Sequence, residues 1–402
     1  MVLAPEAACS HTQGKVWSVV SSGVYCDYAA TEPIRQVALE AWAEHAHLLN
    51  PGGQYLLGRR ARQVLEESRE QIAAALGCEP IEVIFTASGT ESDNLALAGL
   101  LQAPPGQQPS RTRVISSAME HPAVTQPLAQ LVAGGVVKQC ELPLDGPFAD
   151  VAALAASRVI TAESVVTLML ANNETGAIQP VPDVAQLCAA AGAPLHVDAV
   201  QAVGHIPVNF HALGATTLAA SAHKFGGPRG MGLLLVRRSP ALQPLLHGGG
   251  QERGLRPGTV NVAGAAATAA SLSEAVAQME QDAARIAALR DKLRAAVAQI
   301  PDTTIHTPQR ALPGHLHVSF RGTDGDSLML LCDMANIACS TGSACASGVN
   351  QESPVLRAMG ADEPDLRGAL RLSIGRNTTQ EQIAYVIDRL PGIVAGARKV
   401  HH

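Results

Sequence analysis

Between residues 31 and 236 short apolar runs alternate with segments of helical period, and few folds accommodate that rhythm. The runs fall at 83–86, 114–116, 165–171, 195–197, 218–220 and 231–236, each short enough to be a strand. Ile34, Val37, Ala38, Ala41 and Trp42 recur at helical spacing, 58–76 reads as a helix stopped by Gly77, and 182–191 reads as a helix with an early proline. Strand and helix in turn predict a mainly parallel sheet covered on both faces. Ligands of such sheets sit where strands end and helices begin, so polar residues at those ends are the candidates for chemistry.

The pattern changes after this region. Around 260–300 the chain is Ala-rich and helical, with Ile286, Leu289, Leu293, Val297 and Ile300 along one face. A strand at 316–320, a helix at 326–334, strands at 337–340 and 370–374 and a final helix at 379–390 follow. This predicts a second, smaller α/β unit joined to the first through the long helix. The segment 341–354 (TGSACASGVNQESP) has small and polar residues without an apolar period, and is expected to be mobile.

Composition removes several classes of function. The 402 residues carry 29 Lys+Arg against 35 Asp+Glu, a net charge of −6, which gives no basic face for nucleic acid or an anionic membrane. Aromatic residues make up 3%, too few for base-stacking platforms. No apolar run approaches the ~20 residues needed to span a bilayer. The first residues hold one Lys and no Arg around a broken apolar patch, which reads as neither a signal nor a transit peptide. The eight cysteines (Cys9, Cys26, Cys78, Cys140, Cys188, Cys332, Cys339 and Cys345) include no CxxC pair, so reduced thiols in a cytoplasmic protein are expected.

Several strand ends carry reactive groups. The run 83–86 leads into Ser88-Gly89-Thr90-Glu91, which fits a capping box and leaves a helix N-terminus open to an anion; alone it is more often an ordinary cap. The run 195–197 ends in Asp198, with Gln201 three residues on. A buried carboxylate there needs a cationic or hydrogen-bonding partner, and a protonated ring nitrogen is one. The run 218–220 leads into Ser221-Ala222-His223-Lys224, followed by glycines that permit close approach. A lysine so placed is a candidate to condense with an aldehyde, although most lysines are simply solvated. Glu120-His121 and Asn172-Asn173-Glu174 occupy two further strand ends. An amine and an acid converging at one sheet edge beside a helix N-terminus suit pyridoxal phosphate. Dinucleotide and P-loop phosphate motifs are absent, as are zinc spacings, and Asp324-Gly325-Asp326 is too short for a calcium loop.

At these residues the chain resembles the cysteine desulfurases, the class V branch of the aminotransferase-fold pyridoxal phosphate enzymes. The likeness runs through YCDYAATEP (25–33), NPGG and GRRAR (50–62), FTASGTESDN (85–94), EHPAV (120–124), NNETGAIQP (172–180), HVDAVQAVG (196–204), SAHKFGGPRG (221–230), GGGQERGLRPGT (248–259), STGSACASG (340–348) and RLSIGR (371–376). Any one of these is weak; together, in order and at matching separations, they are specific.

The resemblance implies a fold type I pyridoxal-phosphate enzyme. It places a large cofactor domain with a mainly parallel seven-stranded sheet at 31–275, and a smaller α/β domain at 1–30 and 276–402. Lys224 would bond the cofactor aldehyde, Asp198 pair with the pyridine nitrogen, and Gln201 meet the ring hydroxyl. His121 would stack on the ring and move protons. Gly89, Thr90, Ser221 and His223 would hold the phosphate, with Thr259 reaching that of a neighbouring subunit in a homodimer. Asn173 and Arg371 would hold the substrate carboxylate. Cys345 would attack the sulfur of L-cysteine, leaving L-alanine and a persulfide for a protein acceptor such as an iron–sulfur scaffold or sulfur carrier. Its long loop resembles the NifS-like and IscS-like subgroup, whereas Cys339 is expected to pack. The alternative within the fold is a selenocysteine lyase or another lyase or aminotransferase that leaves Cys345 unused. Departures from the family pattern are an Ala-Ser-Gly-Thr phosphate turn, Tyr55 in place of a common histidine, and an N-terminal lead of about 22 residues.

Overall fold

A computed structural model describes residues 23–102, 111–342 and 352–400. Its largest sheet has seven strands in the order Val83–Thr86, Gly232–Val236, Thr217–Ser221, Leu195–Asp198, Ser164–Thr167, Arg113–Ser116 and Lys138–Glu141. All run parallel except Gly232–Val236, which is antiparallel to both its neighbours. The strands Val83–Thr86, Ser164–Thr167, Leu195–Asp198, Thr217–Ser221 and Gly232–Val236 are buried at every residue, as helices on both faces require. The edge strand Lys138–Glu141 is instead polar and largely exposed, which discourages pairing with another chain.

Helix ends follow local chemistry. Helix Leu56–Leu76 stops at Gly77, whose φ of 62° is left-handed and whose N–H returns to Ala73 O. Helix Gly89–Leu101 is capped by Ser88, whose side chain accepts from Glu91 N at 3.1 Å. The reciprocal half of the expected capping box shifts by one residue, because Glu91 Oε2 accepts from Ala87 N (2.7 Å) rather than from Ser88 N. Its Oε1 is drawn towards Arg256, which donates at 3.0 Å.

A second sheet, entirely antiparallel, joins Thr303–Ile305, His315–Phe320 and Ala369–Ser373, with His317 opposite Arg371. The short strands Val24–Tyr25 and Ile337–Ala338 pair in parallel beside it. The long helix Val262–Val297 links the two halves. Its first turns are small and buried, with Ala265, Ala269, Leu272 and Ala275 in the large sheet's core, and its last bury only Ile286, Leu289, Leu293 and Val297 in a separate core around Leu316, Val318, Leu370 and Leu372.

Two elements differ from expectation. The run 165–171 is a strand only over Ser164–Thr167; beyond it the chain turns at Asn172 and returns, with Ala171 bridged to Ile178. The last helix spans Gln380–Val400 and passes through Pro391, because Ile393, Val394 and Ala397 continue its buried stripe past the proline.

Candidate active site

At the carboxyl ends of the strands lies a cavity of about 450 Å³. Among the described residues it gathers every site residue that the resemblance implies except Thr259, while Glu120, Asn172 and Glu174 do not line it. Each corner has its own chemistry.

The N-terminus of helix Gly89–Leu101 forms one corner. Gly89 and Thr90 occupy its first two positions, where amides have no intrahelical acceptor and favour an anion. A Cβ on Gly89 would lie 2.7 Å from Val200 Cγ2, so the backbone can approach a ligand only because no side chain intervenes. Ser221 and His223 complete this corner from the end of strand Thr217–Ser221, with His223 Nδ1 3.1 Å from Thr31 Oγ1. Burial, with Lys224 and Arg229 nearby, lowers His223 to about 4, so its ring is neutral at physiological pH.

Asp198 closes strand Leu195–Asp198 and is buried, with Val200 N donating to its Oδ1 at 2.9 Å. Burial raises its carboxyl, opposed by His121, the Val200 amide and Lys224. Behind it, His196 Nε2 lies 3.1 Å from Asp93 Oδ1 and His196 Nδ1 lies 2.9 Å from Thr217 Oγ1. Burial lowers His196 to about 3, and burial beside Asp198 and Glu120 raises Asp93. Ionising all three carboxyls together would leave like charges in a low-dielectric pocket. A cation beside Asp198 relieves that cost, and a protonated pyridine nitrogen is such a cation.

Lys224 ends a turn of 3-10 helix that follows Ser221 directly. Its Nζ donates to Ala29 O at 2.5 Å, and Gln201 Nε2 donates to the same oxygen at 2.8 Å. Burial, helped by Arg371 and opposed by Asp27 and Asp198, lowers the amine to about 8. His121 caps helix Pro122–Ala133, accepting from Ala123 N on Nδ1 at 3.1 Å, which leaves Nε2 to carry the proton of the neutral ring. Burial above all favours that neutral form.

Arg371 reaches the cavity from the small sheet. Its Nη1 donates to Asn173 O at 2.9 Å and its Nη2 to Asp27 Oδ1 at 2.7 Å. Asn172 is structural, since its Oδ1 accepts from Glu174 N, Thr175 N and Thr175 Oγ1, and this network leaves Asn173 at the cavity. Ser340 and Gly342 line the same wall. Cys345, and most of the segment 341–354 expected to be mobile, lie outside the described residues. Thr259 is exposed and lines a different cavity, of about 200 Å³, with His45, Leu49 and Asn50.

The cavity therefore fits pyridoxal phosphate on its own evidence: an open helix terminus cleared by Gly89, a buried carboxyl awaiting a cation, and a buried lysine with a lowered pKa. Sequence reasoning missed Asp27, Asp93, His196 and the Ala29 carbonyl. Asp27 stood inside a quoted motif, but only the bridge Asp27–Ser373 brings it beside Arg371.

Residues 24–386 match the aminotransferase class-V family. An IscS-like cysteine desulfurase of Mycobacterium tuberculosis is 42% identical over 93% of this chain and 97% of its own length. The cysteine desulfurase NifS of Azotobacter vinelandii is 36% identical over 94% of each chain. A solved structure of a NifS-like protein superposes with a TM-score of 0.86 at 32% identity, covering 93% of this chain and 100% of that one. The chain belongs to the class V aminotransferase family, within its cysteine desulfurase branch. Pyridoxal 5'-phosphate is its cofactor, as in that family.

Proposed function

We propose that this protein takes the sulfur of L-cysteine onto Cys345 and releases L-alanine. The observation that carries this reading is the convergence of Lys224, Asp198 and the Gly89 helix terminus on one cavity, walled by the Ser340–Gly342 chain that leads to Cys345.

Pyridoxal phosphate, when bound, supplies an electron sink for the substrate's α-carbon. Lys224 would hold its aldehyde carbon, Asp198 its ring nitrogen, Gln201 its hydroxyl and His121 its ring face. Gly89, Thr90, Ser221 and His223 would hold its phosphate, joined by Thr259 of a second copy. Arg371 and Asn173 bind the substrate carboxylate, with the guanidinium presenting paired donors. A lysine lowered to about 8 exchanges a proton at the substrate Cα near neutral pH. His121, neutral and protonated on Nε2, would hand over a proton within the same cavity. The Cys345 thiolate attacks the substrate sulfur: the S–S bond forms, the Cβ–S bond breaks, and the carbon takes up a proton. Cysteine and enzyme thiol thus become alanine and enzyme persulfide, with atoms balanced.

A homodimer belongs to this reading. Leu39, Trp42, Leu49, Tyr55, Leu56 and Leu57 are exposed, and Leu49 shares a cavity with Thr259, so one apolar face would carry Thr259 to its partner. The two separate cores support a division into 31–275 and 1–30 with 276–402. The persulfide would pass to a protein acceptor such as an iron–sulfur scaffold or sulfur carrier. A cytoplasmic location agrees with six described cysteines that are all free thiols.

The test is alanine release from L-cysteine with a thiol reductant, for the parent and for Cys345→Ala. The reading predicts release by the parent and none by a variant that still binds cofactor. Release that survives in the variant overturns Cys345 as the nucleophile and favours a lyase.

A further inference from the structure

Glu174 follows the substrate-facing Asn173 and plays no part in the chemistry described above. It is 3% exposed, an unusual setting for a carboxyl, and its backbone N–H is held by Asn172 Oδ1 at 2.9 Å. Its Oε2 accepts from Ser353 Oγ at 2.5 Å. Ser353 is itself buried and caps helix Pro354–Ala358, accepting from Leu356 N at 2.9 Å. On the other side stands Gly342, with φ at 92°, where a Cβ would lie 3.3 Å from both Glu174 Oε2 and the His317 ring. Gly342 and Ser353 flank the stretch of chain that contains Cys345. One carboxyl oxygen therefore bonds the chain after that cysteine and stands where a side chain at Gly342, before it, would meet it.

We propose that Glu174 is a positioning residue that anchors the chain after Cys345, at Ser353, beside the chain that precedes it, at Gly342, and so sets how the thiol is presented to the substrate sulfur. The proposal rests on the desulfurase reading and deepens it. A buried carboxyl is a costly way to fill space: burial raises Glu174 to about 7, offset in part by the Ser353 hydroxyl and by Arg371. Arg371 and His317 are the charged and titratable groups that face this junction, both from the small sheet. Arg371 also donates to Asn173 O, the neighbour of Glu174, so the anchor at Ser353 adjoins the substrate-carboxylate corner.

The test compares holoenzymes of the parent, Glu174→Ala, Ser353→Ala, the double variant and Glu174→Gln. Three quantities are read: alanine formation, the alkylation rate of Cys345 by iodoacetamide, and exchange of the Cα proton of L-alanine in D2O, which needs no thiol. Each alanine variant should lower kcat about 10-fold with KM little changed, the scale of one lost hydrogen bond. The double variant should be no worse than either single one, because both remove the same contact. Glu174→Gln keeps an acceptor for Ser353 and should recover most of the rate. Cys345 alkylation should change in both alanine variants while Cα exchange stays at the parent value. Unchanged kcat and alkylation overturn the proposal, and so does Cα exchange that falls in step with kcat, since Glu174 would then only support the fold. A parent that exchanges the Cα proton but releases no alanine defeats the desulfurase reading instead. In that event alkylation alone decides: altered in the variants it upholds the anchor, and unaltered it removes it.

Discussion

Arg371 and Asp27 form an ion pair at 2.7 Å although 344 residues separate them in the chain. Nη1 of the same guanidinium is held by Asn173 O, so two of its donors are fixed from opposite sides while Nε, buried, has no partner among the described residues. The group is oriented before any substrate carboxylate arrives.

Removing that orientation should weaken substrate binding more than chemistry. Asp27→Ala is expected to raise KM for L-cysteine about 10-fold, the scale of ~1.5 kcal/mol for a charged hydrogen bond, with a smaller change in kcat. Steady-state kinetics check this, and an unchanged KM contradicts it.

On the proposed function, Lys224 sets the pH response of cofactor capture. Its pKa is lowered from 10.5 to about 8, so the neutral amine dominates above about 8. Stopped-flow mixing of cofactor-free protein with pyridoxal phosphate should show a rate that rises with pH and levels off above that value. Over the window between about 8 and 10.5 the unfolded chain binds more protons at this lysine, so its contribution to stability also rises with pH.

Glu120 should work in the opposite sense. Its Oε1 accepts from Met169 N at 3.0 Å, its Oε2 is buried without a partner among the described residues, and burial raises the carboxyl from 4.5 to about 8. The folded protein holds this proton between those two values and the unfolded chain does not. The stability Glu120 contributes is therefore greatest below 4.5 and falls as pH rises to about 8. In paired melting curves, Glu120→Gln should gain in Tm relative to the parent on going from pH 5 to pH 8.5. A difference that is flat with pH contradicts the assignment.

Gly89→Ala tests the anion corner. The added methyl would meet Val200 Cγ2 at 2.7 Å, so either Val200 or the first turn of the helix must shift. Overpacking costs ~1–3 kcal/mol, so pyridoxal phosphate should bind at least about 5-fold more weakly. A titration followed by cofactor absorbance measures it, and parental affinity would show that the corner does not hold the phosphate.

Much of this arrangement was legible in the sequence. Strand-sized runs separated by helical periods fix where Asp198, Ser221 and Lys224 stand, since each lies at or just past a strand's end, and the resemblance implies their chemistry. What escaped were partners that only tertiary structure brings near. Asp27 reaches Arg371 by a bridge between distant strands, Asp93 meets His196 through the packing of a helix on the sheet, and the Ala29 carbonyl has no side-chain signature. Pro391 misled the last helix boundary because a local rule was outweighed by the buried stripe that continues beyond it.

The central claim is that sulfur from the substrate is taken up by Cys345. The most direct measurement is mass spectrometry of the peptide containing Cys345 after one equivalent of L-cysteine is mixed with the holoenzyme and no reductant. The account predicts one added sulfur atom on that peptide, with an equal amount of alanine released. Alanine without added sulfur, or sulfur found on Cys339 while Cys345 stays unmodified, would contradict it.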